Sequence, residues 1–417
     1  MEKEFKDYMK LLYKTRRNKF TRTALRRAVH SFREKRDEAL KAFPYVEEEK
    51  KKLQETKDFV IKHFDDLIEE TGKIIEKMHG HFHFAKNKED ALKILKELTG
   101  TGKTIVKAKS ITSEEIDMNE NLEKWGNTVY ETDLGEFIVQ SLKSRPMHIL
   151  APAVNIPKEK VAELFSKIAG HELPPDPKKL TEFAREYLRD KFFNADIGIS
   201  GANAITADTG SVFLFENEGN IRFATNAPDV HIVFAGIEKI LPTLKDGFRL
   251  LEVVSRYAGY LAMTYVSIVS GPSKTGDIEK TVVYGAHGPR EFHVILYDNG
   301  RSEVAKDPLT SQILRCLRCG ACMYECAVYP ITTGEWGYKY MGGIGIPWTA
   351  YIAGGLKKAA PMAFTCTLCG RCVKYCPMEI DTPEIVQKLR ETLSEKGYIP
   401  PFIKTMVETV MRDGIPY

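Results

Sequence analysis

All eight cysteines of this 417-residue chain lie between Cys316 and Cys376, in two runs of identical spacing. Cys316, Cys319, Cys322 and Cys326 read CxxCxxCxxxC, and Cys366, Cys369, Cys372 and Cys376 repeat the pattern with Pro377 directly after it. Three thiolates two residues apart wrap one corner of an iron–sulfur cubane, because a tight turn delivers each sulfur to a different iron. The fourth cysteine leaves that turn, and in two-cluster ferredoxins it ligates the other cluster. The expected arrangement is therefore Cys316, Cys319, Cys322 and Cys376 around one [4Fe-4S] cluster, and Cys366, Cys369, Cys372 and Cys326 around a second. Two zinc knuckles would instead pair separated CxxC halves across a spacer.

The same spacing bounds the function. Every iron has a cysteine, so the pair reads as a conduit for electrons in an oxidoreductase rather than a Lewis-acid site. Gly320 and Gly370 fall between ligands, where a missing side chain lets backbone N–H groups approach cluster sulfur. Arg315, Arg318, Arg371 and Lys374 flank ligands; their charge either stabilises the more anionic reduced cluster or points to solvent. A secreted disulfide scaffold would spread cysteines through a much smaller chain, so the expected compartment is the reducing cytoplasm. No apolar stretch is long enough to span a bilayer, and the N-terminus is charged where a signal peptide would be apolar. The net charge of +4 is too small to argue for nucleic acid. Residues 1–50, however, hold fifteen Lys/Arg against nine Asp/Glu. That excess reads as a solvated helical face, or as a docking surface for an acidic partner or membrane headgroups.

Length predicts two or three domains. Residues 1–70 carry apolar residues at helical intervals, such as Phe59, Ile61, Phe64, Leu67 and Ile68, and are expected to form a helical arm of two or more amphipathic helices. Short aliphatic runs at 104–108, 147–151, 195–199, 211–215, 230–235, 265–269 and 292–297 read as strands, with helices between several of them at 91–98, 158–168 and 180–190. This alternation predicts an α/β domain with a largely parallel sheet over residues 71–300. Residues 301–417 hold the cysteine runs, an aromatic and Gly-rich segment between them, and a helix expected to start with Thr382 as N-cap and to stop at Gly397.

The segment GISGANAITADTGSVFLFENEGNIRFATNAPDVHIVFAGIEKILPTL at 198–244 resembles the LUD domain of the lactate-utilisation iron–sulfur proteins. VKAKSITSEEI at 106–116, ETDLGEFIVQ at 131–140, SIVSGPSKTGDIE at 267–279 and GPREFHVILYDNGR at 288–301 extend the likeness. With the paired cysteine runs it covers about residues 20–390, and longer members of that family continue past this C-terminus. The resemblance implies a Rossmann-like α/β LUD fold, similar to the CoA-transferase and ribose-5-phosphate isomerase superfamily. The long gap between Cys326 and Cys366 resembles the helical ferredoxins of succinate dehydrogenase and heterodisulfide reductase. Functionally it implies the iron–sulfur subunit of a multi-subunit L-lactate dehydrogenase, working with a cysteine-rich redox subunit and a second LUD protein. Oxidising lactate to pyruvate releases two electrons at once, so a flavin or another two-electron centre is expected on a partner subunit. Competing readings place the chain in another iron–sulfur dehydrogenase or an electron-bifurcating complex, make the LUD domain an isomerase- or transferase-like enzyme with a redox-sensing ferredoxin module, or reduce the clusters to structural staples.

Other constellations carry less. Ser200, Gly201, Asn203, Thr209, Glu216, Asn217, Glu218 and Arg222 belong to turns that either present N–H groups to a bound anion or simply reverse the chain. In the first case Glu216, Glu218 and Arg222 would meet a polar ligand, Arg222 clamping a carboxylate or phosphate; Glu238 and Lys239 are similar candidates, and all of these are equally readable as surface charges. TGTGKT at 99–104 lacks the first glycine of a P-loop, having Glu97 there, and reads as a turn. His79, His81 and His83 would share one face of a strand, a metal being the minor reading. His231, inside an apolar run, reads as a hydrogen-bonded core histidine.

Overall fold

The computed structural model describes residues 2–415. Four helices come first, Glu2–Arg17, Lys19–Ala42, Val46–Lys62 and Phe64–Lys77. Asn18 caps the second by accepting from the Thr21 N–H. The fourth runs through residue 70, where the helical region was expected to end. Of the apolar residues that marked this region, Phe64 and Leu67 are buried and Phe59 is exposed. These helices do not project as an arm. The second meets the first cysteine run, the third packs on the helix Leu244–Tyr257, and together they form a spine joining the two halves of the molecule. No helix among the described residues is long and apolar enough to cross a membrane.

The expected parallel sheet is present. Six strands lie in the order His81–Ala85, Glu291–Tyr297, Val230–Gly236, Ile197–Ser200, Thr104–Lys107, Thr128–Glu131, every neighbouring pair parallel. The two strands 230–236 and 291–297 are buried on both faces almost throughout, which explains their unbroken apolar sequences. Gly198 is forced by packing: a Cβ there would stand 1.7 Å from the Ala224 carbonyl oxygen. From Thr104–Lys107 the chain steps outward to the edge strand and then returns to the other side at Ile197–Ser200. Outside the carboxyl ends of Thr104–Lys107 and Thr128–Glu131 lies a crevice lined by Lys107, Glu131, His148 and Lys339, on the side of the sheet where open α/β folds receive ligands. A smaller mixed sheet, Ile240–Leu241, Ala204–Thr206, Ser211–Glu216 and Tyr265–Val269, packs beside it.

Two local expectations need correcting. Residues 147–151 form no strand: Pro146 and Pro152 bracket them, removing N–H donors at both ends. The segment instead lies as a loop against the cysteine region, the Tyr329 hydroxyl donating to the Met147 carbonyl at 2.7 Å. The helix at 382–395 is capped by Asp381, whose carboxylate accepts from the Glu384 N–H, and Thr382 is its first helical residue. The histidine reading holds for two of its three residues. His81 and His83 occupy the first strand and stack on His293 of the neighbouring strand, whereas His79 sits before the strand with φ of 62°.

A buried carboxylate pins the spine to the cysteines. Glu325, directly before Cys326, receives Arg33 at 2.9 Å, Arg36 at 3.0 Å and Arg371 at 3.0 Å, with its side chain 1% exposed. Arg371 directly precedes Cys372, so this one carboxylate ties the second helix to both runs. Glu325→Ala would leave the buried Arg36 guanidinium with only the exposed Asp37 carboxylate as partner and should cost about 3 kcal/mol. Anaerobic denaturant titration of the cluster-loaded chain measures it.

Candidate functional site

The two cysteine runs fold into the same backbone turn twice. In the first, Arg318 and Gly320 adopt φ of 62° and 80°, and the short helix Ala321–Glu325 leads to Cys326; in the second, Leu368 and Gly370 adopt 54° and 73°, and Arg371–Lys374 leads toward Cys376. The left-handed residues turn successive N–H groups inward toward sulfur. The Ala321 amide faces Cys319, those of Val328 and Tyr329 face Cys326, that of Leu368 faces Cys366, that of Arg371 faces Cys369, and those of Met378, Glu379 and Ile380 face Cys376.

The turns face each other. Cys316, Cys319 and Cys322 line one cavity together with Cys372 and Cys376, walled by Leu317, Tyr340, Met341, Ile344, Met378 and Ile380. Burial pushes the Cys319 and Cys372 thiols up to about 12 and Cys376 to about 11, with neighbouring thiols adding to the effect. Cys322 is pushed well up by the same burial, with Cys316, Cys319, Cys372 and Cys376 around it. Cys326 and Cys366 are raised too, and Cys326 and Cys366 both feel Cys369. Cys369, near the surface, is lowered, chiefly by the Arg371 amide. All eight are free thiols. An all-sulfur set crowded into an apolar pocket and ringed by N–H donors fits a metal–sulfide cluster, whose irons supply the positive charge that deprotonated thiols lack here.

The basic residues beside the ligands divide. Arg315 is taken by Asp58 at 2.5 Å and Arg371 by Glu325, and Lys374 lies over the Tyr375 ring. Arg318 donates toward the Cys316 sulfur, reaches Glu238 at 3.3 Å and stacks 3.9 Å over Trp348 and 4.4 Å over Tyr340. Glu238 is buried, not a surface charge. Burial would raise its carboxyl, but Arg301 at 2.6 Å, with Arg318 and Lys239, holds it down at about 2. Arg301 extends the network to Glu115, which also accepts from the Tyr340 hydroxyl. Glu115, Arg301 and Tyr340 had no local signal in the sequence, since the side-chain bonds that join them to each other and to Glu238 span at least 63 residues.

The turn residues of the α/β domain do not assemble into one pocket. Ser200 hydrogen-bonds His231 at 2.8 Å, as a core histidine would, and a Cβ on Gly201 would press against Ser110. Asn203 accepts from the Phe215 amide, and Thr209 bonds Thr206 and Ser211. Glu216 accepts from the Ile221 and Arg222 amides, Asn217 from Thr264, and Arg222 stacks on Tyr265. Their polar atoms hold the turns. Glu218, which accepts from the Leu134 amide, also lines a cavity with Arg185, Arg189 and Phe223.

Comparison with known proteins places this geometry. The LUD domain matches residues 68–297, which contain the parallel sheet, and the 4Fe-4S dicluster domain matches residues 312–380, which contain both cysteine turns. Lactate utilization protein B of Bacillus licheniformis is 36% identical over 384 residues, covering 91% of this chain and 78% of the relative. The chain belongs to the lactate utilization protein B family. The Bacillus subtilis member is 35% identical with the same coverage, and an uncharacterized electron transport protein of Escherichia coli is 34% identical over 84% of this chain and 73% of its own. A solved DUF162 family protein from Deinococcus radiodurans aligns with 56% of this chain and 98% of its own at 12% identity and a TM-score of 0.31, a likeness too slight to bear on fold or function.

In this family member the 4Fe-4S dicluster match spans the thiols just described, which supports iron–sulfur clusters on this chain. Arg318 is the cation placed against a ligand sulfur, and Arg318→Gln should make reduction of the adjacent cluster harder. A unit charge a few ångströms away, at an effective dielectric constant of about 20, corresponds to a shift on the order of 100 mV toward negative potential. An EPR-monitored redox titration reads it.

Proposed function

We propose that this chain is the electron-transferring iron–sulfur subunit of a cytoplasmic, multi-subunit dehydrogenase that oxidises a small 2-hydroxy acid, L-lactate to pyruvate. Its parts are the helices up to residue 70, the LUD unit of 71–300 and the cluster-binding unit of 301–417. The observation carrying the reading is the approach of the two cysteine turns, with Cys372 lining the cavity of the first run and feeling the thiols of Cys326, Cys366 and Cys369. The named relatives, two of them lactate utilization proteins and one an electron transport protein, point the same way.

Two [4Fe-4S] clusters are assigned, one held by Cys316, Cys319, Cys322 and Cys376, the other by Cys366, Cys369, Cys372 and Cys326. Bound there, such clusters take up and release electrons one at a time. The chain's own residues keep the two sites close, exclude water with Tyr340, Met341 and Ile344, and set the local charge through Arg318 and the amide-lined turns. Lactate becomes pyruvate with loss of two electrons and two protons, so the primary acceptor is a flavin or other two-electron centre on a partner subunit. The partners are a cysteine-rich redox subunit and a second LUD protein.

Anaerobically prepared chain should contain about eight iron and eight sulfide; zinc in their place would refute the assignment. Cys322→Ser and Cys376→Ser should erase the same EPR signal, and Cys326→Ser the other. Anaerobic co-purification followed by a lactate-dependent reduction assay tests the complex: clusters that stay oxidised when lactate and the co-purified subunits are present would exclude lactate as the electron source.

A further inference from the structure

Between Asp7 and Glu34 the chain has no carboxylate side chain and nine Lys/Arg. Among the described residues only Arg33 of these nine forms an ion pair, the one with Glu325. The others stand on the first helix and the first part of the second, all at the surface except the half-buried Arg22. Asn18 alone separates the two helices, so Arg16, Arg17, Lys19 and Arg22 crowd their joint, where Arg22 donates to the Arg16 carbonyl at 3.1 Å. Like charges held this close repel one another, and an anion from outside the chain relieves that repulsion.

Apolar side chains stand among these cations. Met9, Tyr13 and Phe20 are 59%, 58% and 51% exposed. Met9, Tyr13 and Arg17 follow one another at four-residue intervals along one side of the first helix, and the Arg17 guanidinium lies 4.7 Å over the Tyr13 ring. A groove of about 850 Å³, lined by Phe5, Met9, Tyr13, Phe364 and Phe402, joins this helix to Pro401–Asp413 near the other end of the chain. That helix buries none of its 13 residues. Phe402, Met406 and Val410 again fall four apart, with Val407 and Met411 one position on, so one of its faces is apolar and open to water. A helix this short draws little stability from itself, and covering the apolar face would supply what it lacks.

We propose that this end of the molecule rests on an anionic phospholipid surface, the cations of residues 10–27 meeting the headgroups while Met9, Tyr13 and Phe402 enter the boundary with the acyl chains. No helix among the described residues spans a membrane, so attachment needs two weaker signals together, positive charge and inserted apolar area, and this surface carries both. An acidic protein would account for the cations alone. Protein interfaces, however, set their register with charges of both signs and with anchors held in pockets. Here the charge has one sign throughout residues 8–33, and Met9, Tyr13 and Phe402 are more than half exposed. The proposal goes beyond the electron-transfer reading and is independent of it, since it says where the chain sits and not what reduces its clusters.

Flotation of the cluster-loaded chain with lipid vesicles tests the surface. Vesicles of phosphatidylglycerol and phosphatidylcholine in equal parts should carry the chain up the gradient, vesicles of phosphatidylcholine alone should not, and binding to the former should fall as salt rises. Arg16→Gln combined with Lys19→Gln should weaken partition into the anionic vesicles at least about tenfold, because each charge near the surface contributes about fivefold. Phe402→Ser should also weaken it at least about tenfold, by removing an inserted ring. Two exposed cations taken from another helix, Lys158→Gln combined with Lys160→Gln, should leave partition within about twofold, since attraction fades beyond a Debye length. All of these side chains are exposed, and unchanged iron and sulfide content checks that each variant folds. No flotation with anionic vesicles, full affinity in the Arg16 and Lys19 variant or in Phe402→Ser, or an equal loss from the Lys158 and Lys160 variant would overturn the proposal. An acidic protein retained through Arg16 and Lys19, while anionic vesicles leave the chain behind, would overturn it in favour of a protein partner.

Discussion

Arg301 has a side chain with no solvent exposure, and it is held by two carboxylates that are themselves buried, Glu238 at 2.6 Å and Glu115 at 2.5 Å. Taking such charges out of water is costly, and their attraction offsets the cost only when geometry is good and remaining hydrogen-bonding capacity is used. Both conditions are met: Glu115 also accepts from Tyr340 and Asn299, Glu238 from Arg318, and Arg301 further donates to the Asp298 carbonyl. Glu115 and Glu238 belong to the LUD domain, and Tyr340 and Arg318 to the cysteine region. The ion network therefore makes the placement of the first cysteine turn conditional on the placement of the sheet.

Glu325 plays the same part on the opposite side of the cysteines, where the arginines of the N-terminal helices replace Arg301. The basic excess of the first fifty residues is in part explained by this: Arg33 and Arg36 are structural counter-charges, with Arg36 also stacked 4.5 Å over Tyr375. Between these two clamps the cysteine turns are fixed against each other without any disulfide. Electron transfer between neighbouring centres gains from such rigidity, since the charges around each site do not need to rearrange when an electron arrives.

The LUD sheet in turn presents its strand ends to the cluster-binding unit. Lys339, from the segment between the cysteine runs, pairs with Asp117 at 2.6 Å and closes the crevice from the far side. A sheet end, a polar crevice and a sulfur-lined cavity thus lie in succession within one chain. That succession gives the aromatic and Gly-rich segment its place: Tyr340 and Trp348 are buried in one core with residues of the LUD sheet, and Trp336 in a second with the first two helices.

Much of this was legible in the residues themselves. Cysteine spacing is a local property, because the same tight turn follows from the same short pattern, and both turns came out alike. Five of the aliphatic runs read as strands entered the two sheets with little shift at their ends, and Tyr265–Val269 did so without any although it is a partly exposed edge strand, because β-branched residues favour the pleated backbone. The bracketed run at 147–151 misled because prolines outside it, not the residues within it, ruled out pairing. What no local pattern contained were partners distant in sequence: Arg301 with Glu115, Glu325 with Arg33 and Arg36, His148 with the crevice. A charged side chain looks the same in sequence whether it faces water or a buried counter-ion, so the chain alone determined where the cysteine turns and most of the strands lie, and only the tertiary structure decided how the strands pair, which charges are buried and what space they enclose.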